Sequence, residues 1–387
     1  MYPKVKPALA RAWRDRETVQ FGVTPAHAVV LGPVDTATGT LIDRIDGTRG
    51  MELLRAEATG MGLPDGQADA LVRQLAGAGL LDDATAGGPR AQAVRRHPEA
   101  LERLGPDLGS LSLVHREPGG DLRGVAARRA IRVRVRGSGR VGAVIAAVLA
   151  GAGVGRVEVL DGGRVEPADV APGGLDPGSV GRLRAEAAGK LVRASAPGRT
   201  PRAGEEEGSE PRLALVVVAP RDGLHAWAPD PGTAADWVAT GIPHLYAGVL
   251  EGTGLVGPLV LPGVTACAGC MERDLVDRDA AWPRMLVQWR SAHRRRASAA
   301  CDLGLSTAVA GLAAAHALSF LDGELPASTA TRWEAALPAL HWQPAPVRPH
   351  PDCPCGADTG PAAPLRHAGP AGQVPEGGSG ADRAGGP

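Results

Sequence analysis

Two groups of residues in this chain have types and spacings that could do chemistry. Cys267-Ala-Gly-Cys270 and Cys353-Pro-Cys355 form two short pairs with 82 residues between them. Four thiolates from two such loops can satisfy one tetrahedral Zn2+, closing the site and leaving no position for a substrate, so the metal would be structural. Each pair follows a Pro or Gly turn (Pro262-Gly263 and Pro351), and His350 is a substitute ligand for the tight CxC. A redox CxxC is the rival reading. It would open a helix after a strand and would leave Cys353 and Cys355 without a role. The fifth cysteine, Cys301, precedes an apolar run and reads as a small buried residue rather than a thioester or persulfide nucleophile.

The second group is Gly137-Ser138-Gly139-Arg140-Val141-Gly142. Before it, Ile131, Val133 and Val135 alternate with arginines as in a strand; after it, Ala143–Ala150 reads as a helix. A second strand, Arg156–Leu160, closes on Asp161, 19 positions beyond Gly142. In this context GxGxxG allows a tight turn and brings a phosphate to the N–H groups of a helix N-terminus. Asp161 then stands where an acid can bind ribose hydroxyls. The same glycines also serve simply to pack helix on strand. NAD(P)-linked redox chemistry shares the turn but does not predict the cysteine pairs.

The elements that must position these groups follow from composition. The 387 residues imply two or three domains. With 42 basic and 42 acidic residues, bulk charge would not hold the chain to nucleic acid, and 11 aromatics are too few for a base-stacking ladder. The N-terminal residues lack a signal-like apolar run, and Gly304–Leu321, interrupted by His316, reads as a buried helix. No nucleic-acid or membrane partner and a cytoplasmic location are therefore expected. Residues 1–85 have globular texture, 86–130 look like a connector, 131–356 alternate strands with small-residue helices, and 357–387 have the composition of a disordered tail.

Within residues 1–85, Thr18–Val23 and Ala28–Val34 read as a hairpin. A helix over Thr38–Ile45, one capped by Thr48 through Ala58, and one capped by Asp65 through Ala78 complete a small winged-helix-like α+β unit. Its TLIDRIDGTRGMELL and ALVRQLAGAGLL segments resemble the PqqD-like peptide-recognition domain. That resemblance implies a leader peptide added as an extra strand to the edge of the small sheet.

Over residues 131–356 the ordered set GSGRVG, VEVLD, GIPHLYAGV, GPLVLPGVTACAGC, DLGLSTAVAGLAAAHALSFLDGE and HPDCPCG resembles the ThiF/MoeB-like adenylyltransferases, relatives of ubiquitin-activating enzymes. The resemblance implies an α/β Rossmann-like fold with a structural zinc knuckle. It also implies MgATP, a C-terminal carboxylate as the group adenylated, and commonly a homodimer. Gly137, Gly139, Gly142, Asp161 and Arg184 match its nucleotide positions, and Cys267, Cys270, Cys353 and Cys355 its zinc ligands. The sequence departs from the family where phosphate ligands belong. Pro172 stands near an expected arginine, Arg184 replaces a lysine with Lys190 six residues too late, and only Asp222 could supply the metal-binding acid. A peptide-recognition unit joined to an eroded ThiF-like domain resembles the leader-binding partner proteins of azole-forming cyclodehydratases. The expected function is therefore to hold a precursor peptide for a partner enzyme. The alternative is an active ATP-dependent adenylyltransferase.

Overall fold

The computed structural model describes residues 1–198, 211–293 and 300–358. The chain opens with β1 (Pro3–Val5), β2 (Arg11–Trp13), β3 (Val19–Phe21) and β4 (Val29–Leu31). Period-two alternation turns Val19, Phe21 and Leu31 inward and leaves Gln20 and Val30 on the outer face. β2, β3 and β4 form an antiparallel sheet in that order, while β1 pairs with β5 (Leu81–Asp83). Between them α1 (Thr36–Arg44), α2 (Met51–Gly60) and α3 (Gln67–Gly77) close Leu41, Ile42, Leu54, Leu71 and Leu75 over the sheet, giving the winged-helix-like unit.

Sequence reading misses β1, β2 and β5, because three-residue strands carry almost no periodicity and the β1–β5 pairing spans the whole unit. Two helix caps also differ from expectation. Thr48 gives its N–H and hydroxyl to Asp46, and α2 and α3 start behind Gly50 and Gly66 with no side-chain cap. The local Asp46–Thr48 turn competes for the groups that would otherwise have capped the helix. Asp35 does cap α1, accepting from Thr38 N at 2.7 Å.

The stretch expected as a connector contains α4 (Gly88–Arg95), α5 (Pro98–Arg103), α6 (Gly105–Val114) and α7 (Gly120–Arg129). They share a small core of Val94, Leu104, Leu111 and Val125, which an Arg- and Gly-rich composition conceals. Buried Lys6 joins them to the N-terminal unit, its ammonium donating to the Ser112 and Arg116 carbonyls at 2.6 and 3.1 Å. The tail expected over 357–387 lies, from residue 359 onward, outside the described residues.

The remaining elements are β6 (Arg132–Arg136), α8 (Gly142–Gly151), β7 (Arg156–Leu160), α9 (Arg184–Ser195), β8 (Leu213–Val218), α10 (Leu224–Trp227), α11 (Pro231–Ala239), β9 (His244–Leu250), β10 (Thr253–Val260), α12 (Ala268–Arg278), α13 (Trp282–His293), α14 (Leu303–Leu321), β11 (Thr331–Ala336) and β12 (Gln343–Pro346). They build one seven-stranded sheet, ordered β12-β11-β10-β9-β8-β6-β7. β7, β6, β8 and β9 are parallel, and the remainder run antiparallel. Val133, Val135, Leu215 and Val217 pack one face against α8 and α14, whereas Val216, Tyr246 and Val260 face α11 and α12. α14 is long and apolar enough to cross a membrane, yet Leu305, Val309, Ala313 and Ala317 are buried against this core.

His244, at the start of β9, is fully buried between Trp237 and Tyr246, with ring centroids at 5.3 and 5.5 Å. Its Nδ1–H donates to the Ile242 carbonyl, and burial pushes its pKa down to about 4. The unfolded chain, titrating near 6.5, binds a proton between these values that the folded chain refuses. Stability from this residue is complete above pH 6.5 and falls as pH drops towards 4. At pH 5 the loss is about 2 kcal/mol, from ~1.4 kcal/mol per pK unit. Urea unfolding of wild type and His244→Gln at pH 7.5 and 5 checks this: the wild type is expected to lose about 2 kcal/mol more than the variant.

Candidate functional site: a glycine crest and a four-cysteine knuckle

The glycine turn lies at the carboxyl ends of the parallel strands, where loops from β6, β7 and β8 converge. Gly137 adopts φ 101°, and a Cβ there would lie 2.1 Å from the Ala219 carbonyl oxygen. A Cβ on Gly142 would come within 2.0 Å of the Gly137 oxygen. Both positions are therefore closed to side chains by backbone packing, whatever the turn binds. Gly139 differs: the nearest atom to its Cβ position is Cγ of Arg221, at 2.9 Å.

Asp161 anchors the turn. Its Oδ2 accepts from Ser138 N–H at 2.7 Å and from the Ser138 hydroxyl at 2.9 Å, and its Oδ1 accepts from Arg184 Nε at 3.0 Å. Arg184, buried at the start of α9, also donates to the Arg164 and Gly162 carbonyls. Arg221, from the loop after β8, donates to Asp169 at 2.6 Å and to Glu166 at 2.8 Å. The hydrogen bond from Arg221 holds the Glu166 carboxyl below its usual range. Arg184 approaches Asp169 at 3.7 Å, so Glu166, Arg221, Asp169, Arg184 and Asp161 form one ionic chain of alternating sign. Sequence reading places Gly137, Gly139, Gly142, Asp161 and Arg184, and the structure brings all five together. It misses Arg221, Asp169 and Glu166 as members of the same site. The signal for them was the convergence rule, since the two loops leave the carboxyl ends of β7 and β8, the parallel strands that flank β6.

The cysteines meet at the other end of the sheet's second face. Cys267 precedes α12 and Cys270 lies in its first turn, both buried. Cys267 Sγ lies 3.9 Å from Cys270 Sγ and 3.6 Å from Cys353 Sγ, and Cys270 Sγ lies 3.6 Å from Cys355 Sγ. All four sulfurs fall within 4.8 Å of one another. Zn–S bonds of ~2.3 Å at tetrahedral angles set sulfurs about 3.8 Å apart, whereas a disulfide requires ~2.05 Å. The donor set therefore fits Zn2+ with every position filled. Without metal, the hydrogen bond from Cys267 holds the Cys270 thiol below its usual range and pushes Cys267 up. Arg273, donating to Gly269 O at 3.0 Å and reaching Cys353 Sγ at 3.8 Å, offsets part of the thiolate charge.

Two expectations need correction here. The CxxC does open a helix, α12, which is the next element after β10 across residues 261–266, so that feature does not separate metal from redox use; the arrival of Cys353 and Cys355 does. His350 is not a ligand. Its Nδ1 accepts from Asp352 N–H and its Nε2–H donates to Asp277, so both ring nitrogens are engaged.

The ThiF family model matches residues 120–355, from α7 through the last cysteine. The chain belongs to the ThiF family. No curated protein matches it by sequence. Among solved structures, this ThiF-family chain is similar to Escherichia coli MccB bound to succinimide, with 14% identity, a TM-score of 0.63, and coverage of 91% of this chain and 99% of that one. MccB has also been solved with ATP and, described as the Microcin C7 biosynthetic enzyme, with N-formylated MccA. The structure of PaaA matches at 17% identity and a TM-score of 0.66, covering 89% of this chain and 99% of that one. At such identities the likeness concerns the fold. It extends beyond the family model, because 91% coverage cannot be reached without residues 1–85.

Other residues singled out in the sequence lie apart from the ionic chain. Asp222 accepts from His225 Nδ1 at 2.9 Å, a contact that raises the His225 pKa. Lys190 is exposed on α9. Cys301 is half-buried against the main core, and burial pushes its thiol up, the opposite of an activated nucleophile. Its carbonyl accepts from Arg140 at 2.8 Å.

Proposed function

We propose that this ThiF-family chain is a cytoplasmic protein of ribosomal-peptide modification, capturing a precursor leader peptide for presentation to a partner enzyme such as a cyclodehydratase. In this reading zinc staples the scaffold and the nucleotide crest has lost its activity. The observation that carries it is Arg221: its side chain lies across Gly139, tied to Asp169 and Glu166, on the glycine turn that would otherwise admit a phosphate. Arg184 is equally committed, to Asp161 and two carbonyls. A triphosphate would have to break this ionic chain while bringing its own negative charge towards three carboxylates.

The peptide-capturing half rests on β4. In the β2–β3 pairing, Thr18 and Gly22 hydrogen-bond towards β2, so even-numbered β3 residues bond on that side and odd-numbered ones towards β4. Gln20 opposite Val30 is then a non-bonded pair, and the Val30 N–H and C=O point outward along the open edge. β4 is Val-Val-Leu with no charge, whereas the other edge strand, β2, carries Arg11; an uncharged edge is open to a further strand.

Val30→Pro removes the outward donor and leaves the β3–β4 bonds intact. Titrating a fluorescently labelled precursor leader peptide that the wild type binds is expected to show binding weakened at least ~10-fold by this change, about 1.4 kcal/mol. Equal binding by both proteins would refute edge capture. For the crest, calorimetry with MgATP is expected to show no saturable heat, and no peptide-dependent pyrophosphate–ATP exchange. Exchange activity would establish the alternative, an active adenylyltransferase using Gly137, Gly139, Gly142, Asp161, Arg184 and Asp222.

A further inference from the structure

A second row of side chains stands beside the glycine turn, on the sheet face away from α8. Arg136, the last residue of β6, is in register with Val218, the last of β8, and Val218 is in register with Tyr246 of β9. In-register neighbours of parallel strands point the same way at ~4.8 Å spacing, so the three side chains stand next to one another. Val218 and Tyr246 wall a cleft of about 40 Å3 that His225, Asp230, Thr233 and Trp237 help to close. At ~10–15 Å3 for each water, that is room for about three waters or one carboxylate group. Its place, at the carboxyl ends of β6 and β8, is where open α/β sheets admit ligands.

The groups around this cleft carry a positive charge to spare. Arg136 is exposed, and its guanidinium lies 5.3 Å from the centre of the Trp237 ring, with no carboxylate partner among the described residues. The ring holds the cation in place without neutralising it. His225 gives its Nδ1–H to Asp222, a contact that raises its pKa. Its side chain is 43% exposed, so Nε2, which has no partner in the protein, is open to a ligand. The nearby acids are already engaged: Asp222 by the His225 ring and backbone, Asp230 by the Thr233 N–H and hydroxyl. Arg290 also acts on His225 and gives one N–H to the Ala228 carbonyl at 3.4 Å. With His225 protonated, Arg136, His225 and Arg290 stand against Asp222 and Asp230.

We propose that this cleft seats a carboxylate of a peptide, bonded by the Arg136 guanidinium and by His225 Nε2–H. Charge-assisted bonds of this kind are about twice as strong as neutral ones, and the Trp237 ring has already fixed one donor. The proposal rests on the peptide-capturing reading only for the source of the carboxylate, an acidic side chain or a chain terminus. The chemistry of the cleft is independent of β4.

The test is calorimetry on the full-length protein with three short peptides. Acetyl-Ala-Ala-Gln-Ala-amide has no carboxylate, its glutamate analogue has one on a side chain, and its free acid has one at the terminus. At least one of the acids is expected to bind saturably and at least ~10-fold tighter than the uncharged peptide, and the tighter acid identifies the source. Arg136→Gln is expected to weaken that binding by a similar factor, with Arg136→Lys restoring part of it. Raising the pH from about 6 to about 9 removes the His225 proton and is expected to weaken wild-type binding several-fold. His225→Gln is expected to bind more weakly at the lower pH and to lose this dependence, which a merely structural histidine would not produce. No saturable binding, equal binding of the three peptides, or indifference to both Arg136→Gln and pH would overturn the proposal. Any of these results would leave edge capture standing, since Val30→Pro reads that separately.

Discussion

Replacing Cys270 with serine is expected to strip the chain of zinc and to lower its melting temperature by more than ~10 °C. Purified wild type should carry one zinc per chain by elemental analysis, and the variant less than a tenth of that. The size of the effect follows from what the metal would join. Cys270 is fully buried, and its cluster links the start of α12 to a loop more than 80 residues later, the loop that carries Cys353 and Cys355. Structural zinc contributes ~10–16 kcal/mol of binding free energy in small domains, comparable to the whole stability of a typical protein. If only ~5 kcal/mol of that is felt here, the shift at ~2–4 °C per kcal/mol is ~10–20 °C. Treatment with a chelator at neutral pH should reproduce the loss, and added zinc should reverse it. A variant with unchanged melting and no zinc in the wild type would show the four thiols to be merely neighbours.

Arg128→Ala is expected to cost about 3–5 kcal/mol. Arg128, on α7, gives Nε and Nη2 to the two oxygens of Asp322 at 2.7 and 2.6 Å and Nη1 to the Ala152 carbonyl at 3.1 Å. The two side chains are 5% and 8% exposed, so the Asp322 charge left behind would have neither water nor partner. Asp322 also follows the last turn of α14, so the pair fastens the helices of 88–129 to the core helix of the large sheet. Urea unfolding of the single variant and of Arg128→Met/Asp322→Leu separates the lost pair from the stranded charge. The double variant should recover much of the loss, because an apolar replacement removes both desolvation costs. A single-variant loss below ~1 kcal/mol would mean that water reaches Asp322 when the arginine is gone.

Much of this molecule was written in local sequence. The β6–turn–α8–β7 order followed from alternating valines, three glycines and a terminal aspartate, each a short-range signal. The two cysteine pairs, whose sulfurs lie within 4.8 Å of one another in the fold, stood out by residue type and spacing alone. The N-terminal hairpin and its three helices were legible in the same way, although α2 and α3 begin without the caps their sequences offered.

What lay beyond the sequence were relations between residues far apart along the chain. β1 pairs with β5 across a stretch of chain that holds three helices, and Arg128 meets Asp322 across 194 residues. Arg221 was visible as an arginine after a strand, but nothing local said that it would lie on Gly139 and join Asp169 and Glu166. Periodicity, turn chemistry and ligand spacing are properties of neighbours, so sequence determined the longer elements of the hairpin unit and the β6–α8–β7 run, the glycine turn and the candidate ligand set. Which charges neutralise one another is fixed by the strand order that brings loop ends together, and that belongs to the tertiary structure.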